Sequence, residues 1–108
     1  MYLQTITKTD QDYISKLEMI VQKETGWSVD SIRSKTRVTE VVIVRFIMAY
    51  LMKKYTIMSL KSIGSYLGGR DHSTIINSLH VVSTWFDQPK MYKAEINLLL
   101  KLEEEANA

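Results

Sequence analysis

An all-α domain of about six helices, built around a helix-turn-helix, is the fold class this sequence predicts, and three observations predict it. Apolar residues recur at helical spacing along most of the 108-residue chain. The apolar pattern that begins at Val38 runs on through Met52, too long for most strands. A glycine pair, Gly68-Gly69, separates a short amphipathic segment from a longer one that opens at Asp71.

From Asp10 onward Tyr13, Ile14, Leu17, Ile20, Val21 and Glu24 follow helical spacing, with Thr9 or Asp10 as the cap and Gly26 as a left-handed stop. Ser28 caps a short second helix from Val29 to about Ser34, and Lys35-Thr36-Arg37 reads as an exposed basic loop. The third helix runs from Thr39 to about Tyr55 and is apolar nearly all round, which makes it the buried central one. Arg45 is the only charge well inside it and must face an exit from the core. The pattern leaves open whether its guanidinium rests on the surface or meets a phosphate. Ser59 caps a fourth helix with Leu60, Ile63 and Leu67 inward, ending at the glycine pair. Asp71 stands at the N-cap of a fifth, which runs to Trp85 or Asp87. Pro89 suits the first turn of a last helix, with Met91, Tyr92, Ile96, Leu99, Leu100 and Leu102 as its stripe and Glu103-Glu104-Glu105 as an acidic tail.

With 45% apolar residues and no Pro/Gly/Ser linker, residues 1–108 read as a single domain with one modest core. The chain has no cysteine, which excludes disulfides and thiolate zinc sites, and two histidines are too few for a structural metal. No cofactor or metal is expected. Residues 1–10 are polar without an apolar h-region, and no stretch approaches the roughly 18 apolar residues of a membrane span. A cytoplasmic protein with no membrane partner is the expectation.

The net charge of +2 hides a strong asymmetry. Residues 31–70 carry Arg33, Lys35, Arg37, Arg45, Lys53, Lys54, Lys61 and Arg70 against Glu40 alone, a local +7, while the segments on either side are acidic at −2 and −3. Such a stripe is either an ordinary solvated surface or a phosphate-binding face. On the fifth helix, at about 100° per residue, Ile75, Leu79, Val82 and Phe86 form one stripe for the core, with Trp27 and Trp85 as further core aromatics. Ser73, Asn77, His80 and Thr84 form the opposite face, small, polar and uncharged, suited to base edges. Arg70, in the turn before it, is within reach of phosphate or guanine.

The segments Leu60-Lys61-Ser62-Ile63-Gly64 and Leu67-Gly68-Gly69-Arg70-Asp71-His72-Ser73-Thr74-Ile75-Ile76 resemble the signature of the C-terminal DNA-binding domain of the bacterial chromosomal replication initiator, DnaA. The likeness runs without gaps from about Val29 to Val82 and loosely from Ile14 to Glu104. It implies a helical fold related to the Trp-repressor class that binds double-stranded DNA at short asymmetric A+T-rich boxes, working as a monomer. By the same resemblance Asp71, His72, Ser73 and Thr74 meet base edges in the major groove and Arg37 enters the adjacent minor groove. Arg45 and Lys53 match phosphate contacts, and Arg70, Asn77 and Lys61 complete the candidate set, the first two as base contacts and Lys61 as a phosphate contact.

Four departures from the family pattern stand out. Glu40 and valines follow Arg37 where arginines are usual, which removes about two or three phosphate contacts. Lys61 replaces a proline near a thymine methyl and Ser73 a threonine, losing an apolar base contact. Asn77 stands where histidine is frequent.

The 108 residues hold no G-x-x-x-x-G-K-[ST] loop, so the resemblance is to a DNA-binding module on its own, serving replication initiation or its regulation at the nucleoid, with replication proteins as further partners. An enzyme would need Asp71 and His72 as an acid-base or metal pair, but neighbours on a helix point about 100° apart and no third group is spaced to help. The chain is read as a non-enzyme. The competing reading is an adaptor that binds protein and has lost specific DNA binding.

Overall fold

The computed structural model describes residues 8–108 and consists of six helices: α1 (Lys8–Thr25), α2 (Val29–Arg33), α3 (Thr39–Tyr55), α4 (Leu60–Tyr66), α5 (His72–Asp87) and α6 (Lys93–Ala106). No strand occurs among the described residues, and no helix there is long and apolar enough to cross a membrane. The fold is all-α, as the sequence pattern requires.

A helix apolar on nearly every side must be surrounded, and α3 packs against each of the other five helices. Val41, Val44, Ile47, Met48, Ala49, Leu51 and Met52 are all buried along it. At about 1.5–3 kcal/mol for each large side chain taken out of water, this one helix contributes much of the favourable side of folding. α4 and α5 pack on each other and on α3, while α6 returns alongside α1. The local signals act where they stand. The Ser28 hydroxyl accepts from the Ser31 N–H at 3.2 Å and that of Ser59 from the Ser62 N–H at 3.0 Å. Gly26, at φ 79°, closes α1.

Three expectations are corrected. α1 is already helical at Lys8, so neither Thr9 nor Asp10 is its cap. Asp10 is instead buried and accepts from the Ile57 N–H at 3.3 Å, tying α1 to the connection between α3 and α4. The rest of the polar leader, residues 1–7, lies outside the described residues.

Pro89 does not open α6. It sits in a turn closed by Met91 and Tyr92 N–H groups on the Gln88 carbonyl, and the helix begins at Lys93. The turn leaves Met91 69% exposed, so the buried stripe of α6 reduces to Leu99, Leu102 and Ala106, with Ile96 half-buried and Leu100 outside it. Glu103 and Glu105 belong to this helix and pair with Lys54 at 2.6 Å and Lys23 at 3.0 Å.

The inward face of α5 is Ile75, Ser78, Val82 and Trp85, not the stripe ending at Phe86. Both stripes share Ile75 and Val82, and a rotation of part of a turn selects the larger Trp85 ring, edge-on to Phe46 at 6.3 Å. Ser78 is tolerated inside because its hydroxyl donates to the Thr74 carbonyl at 3.0 Å. Phe86 lies 41% exposed, its ring 6.1 Å from that of Tyr50. Trp85→Ala should therefore cost about 3–5 kcal/mol of unfolding free energy and Phe86→Ala about 1 kcal/mol or less. Urea denaturation of the two variants checks this, and equal losses would contradict the rotated face.

Candidate nucleic-acid interface

α4 ends where a left-handed backbone is needed. Gly68 and Gly69 have φ of 97° and 78°. The Gly69 N–H reaches back to the carbonyls of Gly64 and Ser65, and the Arg70 N–H to that of Gly64 at 2.8 Å, satisfying the end of the helix. The turn is also tightly packed. A Cβ on Gly64 would lie 2.0 Å from the Arg70 carbonyl oxygen, and one on Gly68 would lie 2.0 Å from that of Arg33.

α5 then starts on Asp71, whose Oδ1 accepts from the Thr74 N–H at 2.9 Å and from the Thr74 hydroxyl at 3.0 Å. The Thr74 backbone hydrogen bond, then its hydroxyl, hold this carboxyl below its ordinary 3.8. Asp71, His72, Ser73, Thr74 and Asn77 are all exposed, while Ile75 and Ser78 on the other side of the helix are buried. The first turns of α5 thus present one continuous polar edge from a helix anchored on its other side.

Beside this edge runs the connection from α2 to α3, with Lys35 and Arg37 exposed. Backbone carbonyls in and around it face inward and are met by two guanidinium groups. Arg45 donates from Nε to the Ile32 carbonyl at 2.8 Å and from Nη2 to those of Ser34 and Thr36 at 3.1 and 3.3 Å. Arg70 donates from Nη2 to the Ser34 carbonyl at 2.8 Å and from Nη1 to that of Leu67. Burial, and then the charge of Arg70, lower the pKa of Arg45; burial lowers that of Arg70.

These contacts redistribute the positive charge seen in the sequence. Arg45 is buried beneath the loop, so its guanidinium faces carbonyls where a phosphate contact was expected. Arg70, expected at a base edge, is likewise turned onto carbonyls. Arg33 donates from Nε to the Tyr66 carbonyl at 2.5 Å and lies over the Tyr66 ring at 5.2 Å, and Lys54 is paired with Glu103. Of the eight cations of residues 31–70, four remain exposed with neither an ion pair nor a carbonyl partner among the described residues: Lys35, Arg37, Lys53 and Lys61. Lys53 lines a shallow groove with Leu79, Ser83 and Phe86, along the flank of α5. Arg33 was missed as a structural residue, since a cation in the last turn of a short helix ordinarily faces solvent.

No group of three or more His, Asp or Glu residues able to hold a metal occurs among the described residues. α4, the tight turn and the capped α5 make a helix-turn-helix module with a basic loop at its side. Residues 14–82 match the family described as the bacterial dnaA protein helix-turn-helix, and the chain belongs to that family. It is similar to the chromosomal replication initiator protein DnaA of Mycoplasma capricolum, 33% identical over 86 residues, 80% of this chain and 19% of the relative. The protein of the same name from Bacteroides thetaiotaomicron is 32% identical over 83 residues, 77% and 18% of the two chains. That from Lactobacillus delbrueckii is 36% identical over 76 residues, 70% and 17%. The chain thus spans about a fifth of the length of these relatives. No solved structure matches it.

Because hydrogen bonds lower the Asp71 pKa, its ionised cap stabilises α5 fully above the unfolded value near 3.8 and loses that contribution as pH falls through the lower folded value. An NMR titration should show the Thr74 amide moving upfield below about pH 4 as its acceptor protonates. A Thr74 amide that ignores acidification would remove Asp71 as the cap.

Proposed function

We propose that this protein binds double-stranded DNA in a sequence-specific manner, α5 entering the major groove by its N-terminal turns and Arg37 entering the adjacent minor groove, at a short A+T-rich box. The observation that carries this is the exposed polar edge of Asp71, His72, Ser73, Thr74 and Asn77 on an anchored helix, within the matched family region. An ionised Asp71 is an acceptor only, suited to the exocyclic amine of cytosine or adenine. His72 and Ser73 add donors and acceptors, and Thr74, its hydroxyl engaged by the cap, offers its methyl to a thymine. Arg37 takes the A+T-rich minor groove, whose negative potential attracts a guanidinium.

Lys35, Lys53 and Lys61 supply the phosphate contacts, and Arg45 supports the loop from below. The relatives are named as replication initiators, and we place this chain's role in replication initiation or its regulation, at the nucleoid in the cytoplasm, as a monomer on an asymmetric site and beside other replication proteins.

Selection of duplexes from a random pool should enrich one asymmetric A+T-rich box. The three phosphate-contacting lysines, with Arg37 displacing counterions from the minor groove, set a slope of log K against log salt of about −3 to −4, well short of the value near −6 that a local +7 would give. His72→Ala and Thr74→Ala should each reduce preference for the box over a scrambled duplex by about tenfold. Lys53→Ala should weaken both duplexes alike and reduce the slope by about one unit. Fluorescence anisotropy across a salt series reads all three. Equal losses on both duplexes from His72→Ala and Lys53→Ala would end the base-reading assignment.

A further inference from the structure

The Ser34 carbonyl receives two guanidinium groups, one from α3 and one from the turn before α5, across sequence separations of 11 and 36 residues. A carbonyl oxygen has two lone pairs, and here both are used. Arg37 follows Ser34 by three residues and Asp71 follows Arg70 by one. The two proposed readers of adjacent grooves are therefore joined at a single backbone atom. We propose that Arg70, with Arg45, is a positioning residue: a strut that holds the basic loop at a fixed distance from the start of α5, so that recognition of a box depends on an arginine turned away from the DNA.

Three observations support the strut. Two like charges converge on one oxygen, a repulsive arrangement that the additional carbonyls of Ile32, Thr36 and Leu67 offset. The path is open to it as well, since Gly68, required by its positive φ and the nearby Arg33 carbonyl, leaves the space beside it to Arg70 Nη1. Third, Ser34 is tied back to α2 through its N–H and Oγ on the Ser31 carbonyl, but beyond it the loop's own ties are the Thr36 N–H to Ser34 Oγ and the Val38 N–H to Thr36 Oγ1, both long at 3.3 Å. Two-groove readout needs its elements held to within about 0.5 Å, and the planar fork of arginine provides that where a lysine ammonium does not.

The inference rests on the DNA-reading proposal for its consequence but not for its first test. In the free protein, Arg70→Lys keeps the charge and loses the fork; amide hydrogen exchange at Thr36 and Val38 should quicken by about tenfold while the α3 amides keep their protection. Loop amides as protected as in the native chain would overturn the strut, whatever the protein binds.

On the enriched box, Arg70→Lys and Arg70→Met should both lower preference over the scrambled duplex by about tenfold and leave the salt slope within about half a unit of native. Native-like preference in Arg70→Lys would mean that charge alone matters. A slope reduced by about one unit in Arg70→Met would make Arg70 a phosphate contact, and either result overturns the proposal. If the native chain enriches no box, the DNA reading fails while the exchange measurement still decides the strut.

Discussion

The burial of α3 on every side is the constraint from which the other features follow. A helix with so little polar surface has to be covered by all its neighbours, and the five other helices each spend an apolar face on it. That leaves α4 and α5 held from beneath, with their polar edges outward. It also fixes where the one internal charge of α3 can go. Arg45 emerges in the N-terminal half of the helix, under the connection from α2, and there it meets the carbonyls of Ile32, Ser34 and Thr36. The central core and the shape of the basic loop are thus one problem with one solution.

Local signals were the legible part of the sequence. Caps at Ser28, Ser59 and Asp71, stops at Gly26 and Gly68-Gly69, and the span of α3 all depend on residues within a few positions of one another, so spacing alone reveals them. What stayed illegible depends on the rotation or approach of distant elements. The stripe through Trp85 and the one through Phe86 differ by part of a helical turn, and only packing on Phe46 and α3 separates them. Asp10 has the composition of a cap, yet its partner is the Ile57 N–H, 47 residues away. Pro89 would fit a first helical turn equally well, and the turn it enters is set by how α6 must return to α1. At the candidate site the exposed edge of α5 and the exposed Arg37 were readable from pattern and resemblance. The inward turn of Arg45 and Arg70 was not, because a guanidinium seeking a phosphate and one seeking carbonyls look the same in a sequence.

That ambiguity bears on how charge should be counted. A local excess of +7 looks like a phosphate-binding field, but half of its eight cations are committed within the protein, to carbonyls through Arg33, Arg45 and Arg70 and to Glu103 through Lys54. A long-range field still acts on an approaching polyanion, since committed charges remain charges. Counterion release, however, follows the cations that reach phosphates. On the proposed DNA reading, steering and salt dependence are thereby separated: the first draws on the whole stripe, the second on the four uncommitted groups.

The same division gives physical meaning to the loop's departure from its family pattern. With Glu40 and valines after Arg37, the resemblance implies fewer cations to hold the loop to DNA by charge on the proposed reading. A loop with fewer phosphate anchors has to arrive already shaped, because each residue ordered on binding subtracts from affinity. The bonds from Arg45 and Arg70 to Ser34 supply that order within the free protein, in partly buried surroundings where hydrogen bonds to charged groups are stronger than in open water. Val41 and Val44, buried on the same helix, seat the segment that carries Arg45 in the core beneath the loop. Charge lost from the outside of the loop is in this way matched by rigidity built beneath it.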